Sequence, residues 1–202
     1  MTNCFLNISA SIQRSCSNPL VKGNTGRALL IDKGDIEAIT ISDGKISAIT
    51  LAAAAQAVAI ENFITTPFDG TNSASTDEDG YKVHTKTFAF RVPERGAEVS
   101  EKIIDPMVNS ANGYLAIVEK IDAVGDGSFE VLGYEAGLKV NGDGVTQSET
   151  ENGGAIMVTM SGQQTHYSYT LVGATPNVGE TVYGNAKAVF DTLYSGAYNV
   201  VY

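Results

Sequence analysis

The sequence predicts a mainly β protein: a β-sandwich or partial barrel with one packed α-helix. Three observations carry this expectation. An Asp43-Gly44 pair sits between two isoleucine-rich runs, which is the pattern of a two-residue hairpin. Residues 81–92 form a long run enriched in Thr, Phe and Val and ended by Pro93. Helical periodicity is concentrated in one mid-chain stretch, with strand-like runs before and after it, so the repeating βαβ units of a doubly wound sheet are missing.

Residues 1–26 are rich in Ser, Asn, Thr and Gly and are broken by Pro19 and Gly23, which reads as an N-terminal arm. Phe5, Leu6, Ile8 and Ile12 give that arm enough apolar surface for one short element docked on a neighbour. Residues 27–202 read as a single domain. The apolar run Ala28-Leu29-Leu30-Ile31 opens it, and a hairpin follows over 35–51, where glycine supplies positive φ at the turn without a steric cost. Alanines favour helix in 52–59 but the β-branched neighbours favour strand, and a strand over about 58–65 is expected.

Pro67-Phe68-Asp69-Gly70 opens a long loop over 66–80 that contains the acidic cluster Asp77-Glu78-Asp79. After the strand at 81–92, residues 97–111 read as the main helix. Val99, Ile103, Met107 and Val108 recur near helical spacing, Glu98 and Glu101 lie at the N-terminal end, and Asn112-Gly113 closes it. Pro106 is expected to kink or interrupt this helix. Strands over 114–121 and 129–134 are joined at Gly125-Asp126-Gly127, and 137–140 continue the same edge. A second long loop spans 141–154, beginning with Asn141-Gly142-Asp143-Gly144. Strands over 155–161 and 165–172 flank Gly162, a short helix covers 185–194, and 198–202 end in a strand.

The 202 residues include 13 basic and 23 acidic side chains, a formal charge of −10 that disfavours a protein gripping nucleic-acid phosphates. Hydrophobic residues make up 43% and charged residues 18%, which places the chain among folded proteins and suggests a largely uncharged surface, as in a subunit packed against its copies. Cys4 and Cys16 make no disulfide scaffold and read as reduced thiols. The first ten residues lack a basic start and an unbroken apolar run, and no span approaches the roughly 20 apolar residues of a membrane helix. A soluble protein made in the cytoplasm, without a membrane partner, is expected.

No enzyme signature emerges from the residues. His84 and His166 lie in expected strands without a sequence-local partner, and read as structural rather than as ligand or base. Asp77-Glu78-Asp79 lacks the alternate spacing of a calcium loop, and Asn141-Gly142-Asp143-Gly144 is read as a turn because neither a Lys nor a helix follows it. No Gly-x-Ser-x-Gly elbow occurs. No catalytic residue, metal or cofactor is therefore expected.

The order of the pieces is more telling than any one of them. Gly34-Asp35-Ile36-Glu37-Ala38-Ile39 leads through the Asp-Gly hairpin to the strand ending at Val92 and the helix from Ala97. Tyr114-Leu115-Ala116-Ile117-Val118-Glu119, then Phe129-Glu130-Val131-Leu132-Gly133-Tyr134-Glu135-Ala136-Gly137-Leu138, then Ala155-Ile156-Met157-Val158-Thr159-Met160-Ser161-Gly162 follow. Over about 34–172 this resembles the tail tube and tube-like virion proteins of bacteriophages, particularly those infecting gut Bacteroidetes. The resemblance implies a tail-tube-like sandwich that closes into a ring, commonly a hexamer, by contacts with its own copies and with other tail or neck proteins. Its place would be in the virion, as the repeating tube subunit or a ring used once, with double-stranded DNA passing through unbound. On that reading Asp35, Glu37 and Asp43, with the strand from Ala155, are candidates for the lumen wall, where negative charge repels phosphate. Asp69, Asp77, Glu78 and Asp79 mark a candidate assembly loop. The alternative is a carbohydrate- or surface-binding β-sandwich module, against which the absence of Trp counts.

Overall fold

The computed structural model describes residues 24–61, 72–76, 82–92, 96–120, 127–147, 154–174 and 181–199. Cys4, Cys16 and the assembly-loop residues Asp69, Asp77, Glu78 and Asp79 lie outside them. Twelve strands and two helices are described: β1 Asn24–Asp32, β2 Ile36–Ser42, β3 Lys45–Leu51, β4 Val58–Glu61, β5 Asn72–Thr76, β6 Lys82–Val92, helix α1 over 97–109, β7 Tyr114–Lys120, β8 Phe129–Leu132, β9 Lys139–Gln147, β10 Ile156–Gln164, β11 Tyr169–Leu171, helix α2 Val182–Ser195 and β12 Tyr198–Asn199. The protein is mainly β and not a closed barrel. An eight-stranded sheet, ordered β12-β4-β1-β7-β8-β11-β3-β2, packs on a four-stranded sheet, ordered β5-β6-β10-β9.

The unbroken apolar runs belong to strands covered on both faces. In β1, Ala28 and Leu30 join the core between the sheets while Leu29 and Ile31 face the second core, where α2 lies. In β7, Ala116 and Val118 point to the first core, and Leu115 and Ile117 to the second. β6 faces solvent on one side, and it alternates: Phe88, Phe90 and Val92 are buried between the sheets. The β2–β3 hairpin forms as the sequence implies, with Asp43 and Gly44 at φ 50° and 76°, the two-residue geometry that matches strand twist.

Several expected elements are corrected. The helix at 97–109 is not the main one: it stops at Asn109, and its turns over Ser100–Ile104 are π-helical. The Asp105 amide donates five residues back, to the Ser100 carbonyl, so the interruption expected of Pro106 is taken up as a widened turn just before the proline ring. The principal helix is α2, longer than the 185–194 expected, capped by Thr181 Oγ1 accepting from the Gly184 amide at 3.1 Å. Ala186 and Phe190 are buried from it against Phe129.

The loop at 66–80 contains a strand, β5, that pairs with β6. Its sequence, Asn-Ser-Ala-Ser-Thr, shows no apolar alternation because it is an edge held by backbone hydrogen bonds, with most of its side chains exposed. The loop at 141–154 begins inside β9. Val158 pairs with Val145 and Met160 with Val140, so two steps along β10 match five along β9, and Asn141-Gly142-Asp143-Gly144 forms a bulge rather than a turn between strands. Of residues 137–140, Leu138 continues the β8 edge as an antiparallel bridge to Tyr114 of β7, whereas Lys139 and Val140 already pair with β10. The chain turns at 133–137 and crosses to the other sheet, where Gly133, at φ 77°, places its Cα so near the Tyr114 carbonyl that a Cβ would lie 2.4 Å from that oxygen. Finally, β10 runs through Gly162 to Gln164, paired with Lys86 and His84, and the next strand is only Tyr169–Leu171. His166 therefore lies in an exposed bend, not in a strand.

Candidate functional site

Two surfaces of the four-stranded sheet stand out. The first is its outer face. Thr85, Thr87, Ala89 and Arg91 of β6 alternate with the buried residues and so point away from the core. Thr159, Ser161 and Gln163 stand opposite Ala89, Thr87 and Thr85 on β10, and Ser73 stands opposite Thr85 on β5. None of these side chains belongs to either core. This is a plain of hydroxyl and amide groups whose described charges are Arg91 and Lys139, the latter paired in register with Ser161. Asn141 Nδ2 donates to Ser161 Oγ at 2.9 Å, so the bulge is tied to the same face.

The second surface is the end of the space between the sheets, where the inward face of β6 changes from apolar to polar. Phe88 is followed toward the strand start by Lys86 and His84. Lys86 Nζ is buried and reaches Glu130 Oε1 at 3.0 Å, and Lys120 Nζ reaches Glu130 Oε2 at 2.8 Å. Burial raises the Glu130 pKa, but the two ammonium groups outweigh that and hold it below the usual carboxylate range. The Tyr167 ring lies 4.9 Å from Lys86 Nζ and 5.5 Å from the His84 ring, edge to face. Asn72 Nδ2 donates to the Tyr167 carbonyl at 3.3 Å, and Gln164 Nε2 donates to the carbonyls of His166 and Tyr167 at 2.7 and 3.4 Å. With their donors committed there, the buried Asn72 Oδ1 and Gln164 Oε1 have no partner, and neither does His84 Nδ1.

A carboxylate clasp holds the far side of the Tyr167 bend. Glu135 accepts from the Thr165 amide and from Thr165 Oγ1, each at 2.8 Å, and from the Tyr169 hydroxyl. Burial acts to raise the Glu135 pKa, yet these donors together with His166 hold it at about 2. Burial and the adjacent carboxylate push the Tyr169 phenol upward. His166 Nδ1 lies 2.8 Å from the Tyr169 hydroxyl, so this histidine does have partners, supplied by the fold and by a tyrosine three residues on.

The sequence-derived lumen candidates are not brought together. Asp35 sits half-buried in a single helical turn before β2, where its carbonyl accepts from the Ala52 amide at 2.8 Å. Glu37 is exposed at a register shift between β2 and β3, and Asp43 is exposed at the hairpin tip, six residues or about 20 Å further along the strand direction. None of the three forms an ion pair among the described residues. The strand from Ala155, β10, is in the other sheet. No group of three or more His, Cys, Asp or Glu able to hold a metal occurs among the described residues.

Sequence reasoning missed Asn72, Lys86, Gln164, Tyr167 and Glu135. They come from separate strands and bends: the register of β5, β6 and β10 brings Asn72, Lys86 and Gln164 together, and the turn at 134–136 and the bend at 165–167 supply Glu135 and Tyr167. The one signal in the sequence was the change along the inward parity of β6 from Phe88, Phe90 and Val92 to Lys86 and His84. Comparison with protein-family models, curated proteins and solved structures finds no match to this chain.

Proposed function

We propose that the chain is a bacteriophage virion structural protein, a tail tube or neck ring subunit that assembles with its own copies around a channel for double-stranded DNA. The observation that carries this reading is the β2 edge. Of the four outer strands, β12 is described over two residues, β9 carries a five-against-two bulge, and β5 is polar over its five described residues. β2 is seven residues long with two one-residue register shifts against β3, carries Ile36, Ile39 and Ile41, and has one charge, Glu37. Such an edge offers unpaired backbone groups to another chain and lacks the lysines and prolines that usually block pairing. Joined head to tail, identical subunits close by rotation into a ring. The hydroxyl-rich outer face of the smaller sheet adds a second favourable property, since a wall of hydroxyls with few cations gives DNA phosphates little to hold.

The test is the oligomeric state by analytical ultracentrifugation and negative-stain microscopy. Annular particles are expected from the parent protein, and Ala38→Lys with Thr40→Lys, both at exposed β2 positions, should leave folded monomers. A parent that stays monomeric at every concentration, alone and with tail proteins, overturns the reading.

A further inference from the structure

We propose that the polar end of the inter-sheet space, around Asn72, His84, Gln164 and Tyr167, is a binding site for a neutral ligand rich in hydroxyl groups, a sugar.

Gln164 is 2% exposed and Lys86 3%, so the polar groups here are built into the protein interior and are not scattered surface residues. A buried polar atom without a partner costs free energy, and three of them in one cluster mark a place where a partner is missing. Their proximity is fixed by shared contacts: Asn72 and Gln164 both hold the Tyr167 carbonyl, and His84 lies against the Tyr167 ring.

The chemistry of the orphans selects the ligand. Asn72 Oδ1 and Gln164 Oε1 can only accept, so the occupant must bring donors, and two carbonyl oxygens repel an anion. Lys86 and Lys120 against the single carboxylate of Glu130 leave excess positive charge, which disfavours a cation. His84 Nδ1 donates or accepts according to tautomer, and a hydroxyl answers either state. Tyr167 is 66% exposed, the most exposed large hydrophobic residue described, and supplies the aromatic surface on which the apolar face of a sugar ring packs. The bend that carries Tyr167 is exposed from Thr165 to Tyr167, so it is the element that must shift to admit the ring. This site is independent of the ring reading: a folded monomer can bind a sugar, and a ring can form without one.

Saturation-transfer NMR with a panel of neutral hexoses and N-acetylhexosamines at millimolar concentration tests the proposal on the full chain. Transfer from at least one sugar is expected, falling about tenfold or more in Gln164→Leu and in Tyr167→Ala, and unchanged in Glu98→Gln, whose partner is Lys102 on the α1 surface. Circular dichroism establishes that each variant is folded, and Asn72→Ala, on the edge strand, is the alternative should Gln164→Leu not fold. No transfer from any sugar to the folded parent overturns the proposal, as does equal transfer in the folded parent and in folded Tyr167→Ala.

Discussion

Lys86 of β6 and Glu130 of β8 meet at 3.0 Å across the space between the two sheets. One side chain of the pair is 3% exposed and the other 23%, so the pair is largely withdrawn from water. Removing one charge from such a pair strands the other, whereas replacing the cation by an apolar side chain of similar length removes the need for a partner. Glu130→Gln should therefore lower the unfolding free energy by about 3 kcal/mol, and Lys86→Met should change it by about 1 kcal/mol or less in either direction. Urea denaturation of the two variants checks both values.

The Glu135 clasp gives a pH dependence of defined sign. Its carboxyl titrates at about 2 in the folded chain against an ordinary value of 4.5, so the contribution is complete above 4.5 and is lost as pH falls from there toward 2. Glu135→Gln should narrow the stability difference between pH 5 and pH 3 relative to the parent, by an amount that solvent screening at this partly exposed site keeps small. Tyr169 has the opposite limb. Its phenol is raised, so its contribution is present below its ordinary value of 10 and is lost above it, and Tyr169→Phe should flatten the alkaline side of the profile. Thermal melts across both ranges read the two effects.

Gly133 is the residue that allows the chain to leave one sheet for the other. A methyl group there meets the Tyr114 carbonyl at 2.4 Å and Leu138 at 2.8 Å, in a backbone conformation that alanine adopts only with strain. Gly133→Ala should cost about 2 kcal/mol or more, while Gly142→Ala, at φ 53° but with open space around it, should cost about 1 kcal/mol. The difference between the two, measured by chemical denaturation, separates the close approach from the dihedral alone.

Within the ring reading, charge at the hairpin is directly testable. Asp35→Lys with Glu37→Lys in assembled particles should slow DNA ejection at low salt, with the parent rate recovered as ionic strength rises. Thr87→Lys with Thr159→Lys on the outer face of the smaller sheet provides the matching pair. Ejection that ignores the hairpin substitutions and salt alike removes Asp35 and Glu37 from the channel wall.

The two-sheet architecture was legible where local chemistry decides conformation. Asp43-Gly44 demands its turn, and the alternation that buries Phe88, Phe90 and Val92 is visible along β6. It was not legible where backbone pairing alone decides. Asn72 to Thr76 have a loop-like composition and still form a strand, because the neighbouring β6 offers an unpaired ladder. Asn141 to Gly144 look like a turn and instead bulge from an edge, since β10 holds the residues on both sides in register. The polar cluster was hidden for a related reason: His84 and Gln164 are neighbours only through the β6–β10 register, which places residues eighty apart directly opposite each other. The helix ranking failed at Pro106, whose effect was to widen a turn, while α2 gained its length from burial of Phe190 and Ala186 rather than from propensity.

The position of β1 at the middle of the larger sheet governs when the molecule can fold during synthesis. β4 supplies one neighbour about thirty residues after β1, as Ala59 against Leu29, yet the strand on the other side, β7, arrives about ninety residues later, as Ile117 against Leu29. The helix that covers the outer side of Leu29 and Ile31, with Phe190 at its centre, arrives later still. Contacts this distant in sequence slow folding and leave apolar strands unprotected in the meantime. From the synthesis of β1 until that of α2 the nascent chain therefore carries Leu29 and Ile31 with their outer side uncovered, and chaperone occupancy on stalled chains should fall sharply only once residues 182–195 have left the exit tunnel.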